Sequence, residues 1–465
     1  MPALNRRDFL RQAGGGLGLL ALASLLNQQG LLGAEPGPVR ANPLAPKAPH
    51  FRARAKSVIW LFMEGGPSAV DTFDPKPELS KFDGRQPAIP IHTHFGSPGP
   101  LMKSPFSFAQ YGQSGTWVCD QLPHLASVAD ELCILKSCWA ESPNHVTALL
   151  QMNTGHIRTG FPSMGSWLTY GLGTENANLP GFVVVQNAKG TKGGSPNWGA
   201  GFLPNTYQAT PFRPAGSPIL NLHAPQDVTA ASQRAMLDFA GGMNRRHLAA
   251  HPGNDPLQAR IQSYELAFAM QTAASDAAEL ADESAATKTL YGLDHDITSS
   301  FGRKCLLARR LVARGVRFVQ VYCDDEWDAH NSIVDNHRAR CAETDRGAAA
   351  LIKDLKQRGM LQDTLVIWGG EFGRMPVSES GHGRDHNPEG FLMWMAGGGV
   401  KGGMSYGATD EIGWRAADRR ISVPDLHATI LHTLGLDHEK LTYTHNGRKF
   451  RLTDVSGTVL HDILG

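Results

Sequence analysis

The chain has 465 residues, enough to bury one large α/β core or two or three ordinary ones. Its 44 basic and 43 acidic side chains leave a formal net charge of +1, so no overall field favours nucleic acid or an anionic membrane. With 51 Gly, 29 Pro and 41% hydrophobic residues, the composition fits a loop-rich globular protein better than a disordered or fibrous one.

Residues 1–33 open on Asn5-Arg6-Arg7-Asp8-Phe9-Leu10-Arg11 and continue in an apolar, Gly-rich run from 13 to 26. Paired arginines ahead of a weakly apolar stretch read as a twin-arginine export signal, which makes the twin-arginine machinery a partner and the periplasm or cell surface the destination. An N-terminal membrane anchor is the alternative, but the run falls short of the ~20 residues a span needs. Nothing later in the chain offers a span either, so no stable transmembrane segment is expected. Residues 34–56, with several Pro and basic residues, read as a linker, and order is expected from Ser57 in a domain covering 57–465.

Continuous apolar runs at 58–63, 182–185, 316–322, 364–368 and 391–395 suit strands buried on both faces of a parallel sheet. Between them, residues 257–286, 301–314 and 345–358 read as helices. This alternation predicts a three-layer α/β/α sandwich around a large, mostly parallel sheet, with ligands bound beyond the carboxyl ends of its strands. Residues 188–225, rich in Gly, Pro and Asn, read as a long surface excursion, either a lid or a decoration. The cysteines are Cys119, Cys133, Cys138, Cys305, Cys323 and Cys341, with no C-x-x-C spacing, so a structural zinc site of the usual kind is not expected. Disulfides and buried free thiols both remain open.

Acids and histidines recur at the ends of the expected strands. Glu64 follows the first, with Asp71 and Asp74 in the next loop; Asp324, Asp325, Glu326, Asp328 and His330 follow the strand ending at Tyr322; Glu371 ends another; and Arg384-Asp385-His386 precedes the strand at Phe391. So many carboxylates on one rim would repel one another, and a cation resolves that conflict. Carboxylate with imidazole suits zinc, manganese or iron. Asp328 and His330, two apart in extended chain, point to the same side. His145, in Ser142-Pro143-Asn144-His145, reads equally as a substrate-facing residue or a helix N-terminal one.

Three blocks resemble sulfatases. Val58-Ile59-Trp60-Leu61-Phe62-Met63-Glu64-Gly65 is similar to the opening strand that ends in metal-binding acids. Asp363-Thr364-Leu365-Val366-Ile367-Trp368-Gly369-Gly370-Glu371 is similar to a later strand whose final acid binds metal. The stretch from Ser422 to Leu436 is similar to the terminal helix. The closer resemblance, over essentially the whole chain, is to the domain of unknown function 1501 family, an exported sulfatase-like branch of the alkaline phosphatase superfamily. It rests on Gly65-Gly66-Pro67-Ser68-Ala69-Val70-Asp71, Trp327-Asp328-Ala329-His330, Gly370-Glu371-Phe372-Gly373-Arg374 and Gly383-Arg384-Asp385-His386-Asn387.

The resemblance implies an alkaline phosphatase-like fold and a metal-dependent hydrolase acting on a small-molecule or saccharide ester of sulfate or phosphate. It implies one or two divalent ions, with zinc, manganese, iron and calcium as candidates. Asp328, His330 and His386 would hold one ion, while Glu64, Glu371 and Asp71 would hold a second or support the first. Arg374 and Arg384 would meet the anionic substrate, with ion pairing their alternative role. The sulfatase nucleophile block is altered: Glu141 stands at the Cys or Ser position and His145 at the Arg position, so formylglycine is not expected. Water activated by metal, with Glu141 or His145 as base, is the mechanism this predicts. The rival reading is a non-catalytic exported binding or scaffold protein that retains the fold.

Overall fold

The computed structural model describes residues 42–465 apart from 96, 187–188, 226, 251–254 and 380, and the side chains of 255–260 are likewise left aside. The export signal at 1–33 and the first part of the expected linker lie outside the described residues. Pro43–Leu222 with Leu266–Gly465 form a large compact unit, and His223–Glu265 belongs to a smaller one. The smaller unit carries the helix Ala230–Ala250 and the start of the helix Asp255–Ala278. Within it Arg234 reaches Glu265 at 2.8 Å and Asp238, one turn along, at 2.7 Å.

The large unit is built on a nine-stranded sheet. Its strands are β1 (Ser57–Phe62), β2 (Cys133–Trp139), β3 (Phe182–Val185), β4 (Thr210–Phe212), β5 (Phe318–Tyr322), β6 (Thr364–Gly369), β7 (Phe391–Ala396), β8 (Met404–Tyr406) and β9 (Ile421–Ser422). They lie in the order β8-β2-β7-β6-β1-β5-β3-β4, with β9 also on β2, and only β7 runs antiparallel to its neighbours. Among the helices that cover it are α1 (His145–Thr154), α2 (Met164–Leu172), α3 (Asp296–Val312), α4 (Ile333–Gln357) and α5 (Val423–Thr433).

Strand periodicity sorts the two cores. Along β1, Ile59 and Leu61 join Phe301 and Leu306 of α3 and Leu351 of α4. Val58, Trp60 and Phe62 join Leu149 of α1, Trp167 of α2 and Ile430 of α5 on the opposite face. With both faces covered, β1 is buried throughout, which is why it reads as one apolar run rather than an alternating one.

Order begins before Ser57. Arg54 and Ala55 both donate from their backbone to the Thr433 carbonyl at 2.8 Å, Lys47 donates to that of Leu172, and Leu44 is buried. The excursion at 188–225 contributes the edge strand β4, whose Phe212 is buried. All six cysteines are free and buried. No described helix is long and apolar enough to cross a membrane.

Candidate metal centre

Strand β1 lies between β5 and β6, with Phe62 in register with Tyr322 on one side and Gly369 on the other. The loops that follow these strands therefore leave the sheet side by side, carrying Glu64, Asp328 and Glu371. Gly65, at φ 105°, lets two of them touch: a Cβ there would lie 2.6 Å from the Trp327 backbone nitrogen and 2.7 Å from that of Asp328. The Gly65 N–H donates to Glu371 at 3.0 Å and its carbonyl accepts from Arg374. The next approach is made by a short ribbon, Gly373–Arg374 paired antiparallel with His386–Asn387. Its lead-in, Gly383, lies so tightly on the His330 carbonyl that no Cβ fits, and Arg384 N–H donates to the Ala329 carbonyl at 2.9 Å.

Asp328 is the hub. Its Oδ1 lies 3.0 Å from His330 Nε2, 3.1 Å from His386 Nε2 and 2.7 Å from Arg374 Nη2. Its Oδ2 lies 3.1 Å from His145 Nε2, although out of hydrogen-bond alignment, and 3.4 Å from Lys192 Nζ. Each imidazole is held from behind. Nδ1 of His145 faces Glu371 Oε1 at 2.7 Å, Nδ1 of His330 faces Glu379 Oε2 at 2.6 Å, and Nδ1 of His386 faces the Pro143 carbonyl at 2.6 Å. A carboxylate or a carbonyl only accepts, so each Nδ1 carries a proton, and a ring turns a bare Nε2 inward once it holds no second one. His330 Nε2 and His386 Nε2 face each other at 2.8 Å beside the Asp328 carboxylate.

That crowding is visible in the charges. Burial pulls His145 down, but Asp328 and Glu371 outweigh it and lift the ring to about 9. Burial disfavours the Asp328 carboxylate, yet the three imidazoles and Arg374 overcome this and hold it far below the usual range. Burial pushes His386 down to about 4 against the pull of Asp328. Glu64 rises to about 8, first through burial and then through the neighbouring Glu371. A divalent cation among the Nε2 atoms would satisfy every acceptor at once. The residues present fit it: one carboxylate, converging imidazoles, and a tautomer-fixing partner behind each ring. Among the described residues, His145, Asp328 and His386 form one ligand triad and His330, Asp385 and His386 another, overlapping at His386.

Residues 55–464 match the family described as "Protein of unknown function (DUF1501)". The chain belongs to that family. No curated protein matches it in sequence. Among solved structures, it is similar to the lipoteichoic acid synthase LtaP from Listeria monocytogenes, at 9% identity over 88% of this chain and 78% of that one, with a TM-score of 0.39. It is similar to the PsFucS1 sulfatase from Pseudoalteromonas sp. at 11% identity over 90% and 71% of the two chains, TM-score 0.34. The phosphonate monoester hydrolase SpPMH from Silicibacter pomeroyi follows at 12% identity over 74% and 71%, TM-score 0.32.

In this DUF1501 chain the fold brings Asp328, His330, His386 and His145 together, and His145 is both the first residue of α1 and a ring turned to Asp328. Several expected roles are corrected. Glu371 is fully buried with its oxygens taken by Gly65 N–H and His145, so it orients an imidazole instead of binding metal. Asp71 and Arg384 are both fully buried and paired at 2.7 Å, which removes Asp71 from metal binding and Arg384 from substrate binding. Arg374 is buried too, donating to the carbonyls of Gly65, Gly66 and Arg384 and to Asp328, so it braces the loops and does not face a substrate. Glu141 is exposed, with only its backbone N–H tied to Gln151, and has no place at the centre. Glu64, 5% exposed, accepts the Lys192 N–H at 2.7 Å.

Four contributors escaped the sequence reading. Glu379 backs His330 from a loop with no motif around it. Asp385 was visible within a motif, but not its work: it accepts the N–H groups of His94 and Phe95 at 2.5 and 3.0 Å, together with that of His386. This presents Phe95, 57% exposed, edge-on to His386 with ring centres 4.8 Å apart. Lys192 is the fourth.

Proposed function

We propose that the chain is an exported, metal-dependent hydrolase of sulfate or phosphate esters working with one divalent cation held by Asp328, His330, His386 and His145. The observation that carries this reading is the convergence on Asp328 of three imidazoles, each anchored through Nδ1 to an acceptor. Three imidazoles suit zinc, manganese or iron, and turn away calcium, which takes oxygen ligands. The side chains of His330 and Asp328 remain 28% and 21% exposed, leaving the cation an open position.

A bound cation supplies Lewis acidity toward an ester oxygen and makes a coordinated water acidic near pH ~7. The chain's own part is positioning. Asp328 neutralises charge, while Glu371, Glu379 and the Pro143 carbonyl hold the ring tautomers. The Phe372 ring, stacked on His386 at 4.4 Å, excludes water from one side. At the positions of the sulfatase nucleophile block no side chain is placed to attack: Glu141 is exposed, and Ser142 Oγ is paired with Thr147 Oγ1 at 2.5 Å. Water therefore attacks phosphorus or sulfur directly, and the bond to the ester oxygen breaks. That oxygen leaves as an alcohol with the proton the water gives up.

Elemental analysis of the purified full chain tests this reading. The expected result is about one divalent transition metal per chain, with His330→Ala lowering metal content and thermal stability together, because a ligand that binds only the folded state stabilises it. Absence of metal from both proteins would leave the scaffold reading in its place.

A further inference from the structure

Both arginines expected to meet an anionic substrate are fully buried and spent on carbonyls and carboxylates. Lys192 is placed differently. It lies between β3 and β4, and its backbone is clamped on both sides: the N–H donates to Glu64 at 2.7 Å and the carbonyl accepts from Asn197 Nδ2 at 2.8 Å. Glu64 and Asn197 are themselves buried. Gly193 and Gly194, at φ 78° and 64°, turn the chain back so that Asn197 reaches Lys192. The ammonium is thereby delivered 2.6 Å from Glu326 and 3.4 Å from Asp328 Oδ2, with the side chain still 31% exposed. Buried side chains fixing the main chain of a lysine whose head stays reachable from solvent are the features of a presented charge.

We infer that Lys192 binds the non-bridging oxygens of the substrate's tetrahedral anionic group at the Asp328 centre. The inference rests on the ester-hydrolase reading above. Once a cation takes Asp328, it repels the ammonium from Oδ2 and leaves Glu326, a half-exposed carboxylate, as its remaining partner. A sulfate or phosphate group lying between cation and ammonium offsets both charges. An ammonium is a point charge with three rotatable donors, suited to such a group without demanding the paired geometry of a guanidinium.

The test titrates inorganic phosphate and inorganic sulfate into the full chain by calorimetry, for the native protein, Lys192→Met and Lys192→Arg, with metal content and circular dichroism measured on each sample. The methionine variant is expected to bind the anion at least about tenfold more weakly with unchanged metal content and spectrum, and the arginine variant to recover most of the affinity. The anion that binds distinguishes a phosphate from a sulfate ester. Equal affinity in native and methionine proteins overturns the inference, as does the absence of binding of either anion by the native chain. A methionine variant that gains metal without losing anion also overturns it and makes Lys192 an internal counter-ion. Lys192-dependent anion binding in a protein devoid of metal keeps the inference and removes the metal-hydrolase reading, so the two fail separately.

Discussion

A single carboxylate, Asp328, gathers three imidazoles, a guanidinium and an ammonium within 3.4 Å. Asp71, fully buried, answers to partners outside that cluster. Its oxygens receive Arg384 at 2.7 and 3.2 Å and the Ser68 hydroxyl at 2.5 Å, and Arg384 also donates to the carbonyls of Met375 and Met102. Burial raises the Asp71 carboxyl, but Arg384, His337 and the Ser68 hydroxyl together outweigh it and hold the group below its usual range. Asp71→Asn leaves a guanidinium buried without its counter-charge, which costs about 3–5 kcal/mol. Chemical denaturation should show a loss of that size, while the folded fraction keeps its metal stoichiometry. Loss of metal without loss of stability would return Asp71 to the ligand set.

At the scale of elements, the site depends on loops pressed together where side chains would intrude. Gly383 is the tightest of these approaches, lying on the His330 carbonyl and setting the distance between His330 and His386. Gly383→Ala must separate the two strips of chain. The expected outcome is a loss of at least about 1–3 kcal/mol in stability together with weaker metal retention. Gly242→Ala, inside a helix with open space around it, serves as the control: it should leave metal content unchanged and raise stability by up to about 1 kcal/mol. Equal metal content and melting temperature in Gly383→Ala would refute this account of the ribbon. Strand β2 illustrates the limit of local reading. Its sequence, Cys-Ile-Leu-Lys-Ser-Cys-Trp, is interrupted by polar residues, yet it is an interior strand, because Lys136 finds Asp74 at 3.2 Å and Ser137 donates to the Arg419 carbonyl at 2.7 Å. Both partners are remote in sequence, so the pattern alone could not show that the polar groups would be satisfied.

For the molecule as a whole, the balance of 44 basic against 43 acidic side chains gives no general attraction to a polyanion, so the charge that matters is local. The export proposed here rests on Arg6-Arg7 and the short apolar run behind them. Changing both arginines to lysine should hold the protein in the cytoplasm in a fractionation experiment. Delivery to the periplasm or surface despite that change would contradict the twin-arginine route. A folded chain that crosses with its thiols buried needs no disulfide to be completed outside, in keeping with six free cysteines.

What the sequence determined by itself was whatever short-range pattern encodes. Continuous apolar runs marked β1, β3, β5, β6 and β7, because strands covered on both faces must be apolar throughout. Motif order marked the family, and the acids and histidines at strand ends marked the rim where chemistry gathers. The tertiary structure alone decided which of those groups face one another. Burial left Asp71, Arg374 and Arg384 no solvent, so each took the nearest opposite charge or carbonyl. Glu379, Lys192 and Phe95 entered from loops without local signal, because a carboxylate behind an imidazole or an ammonium beside a carboxylate is chosen by distance in space, which sequence spacing does not record.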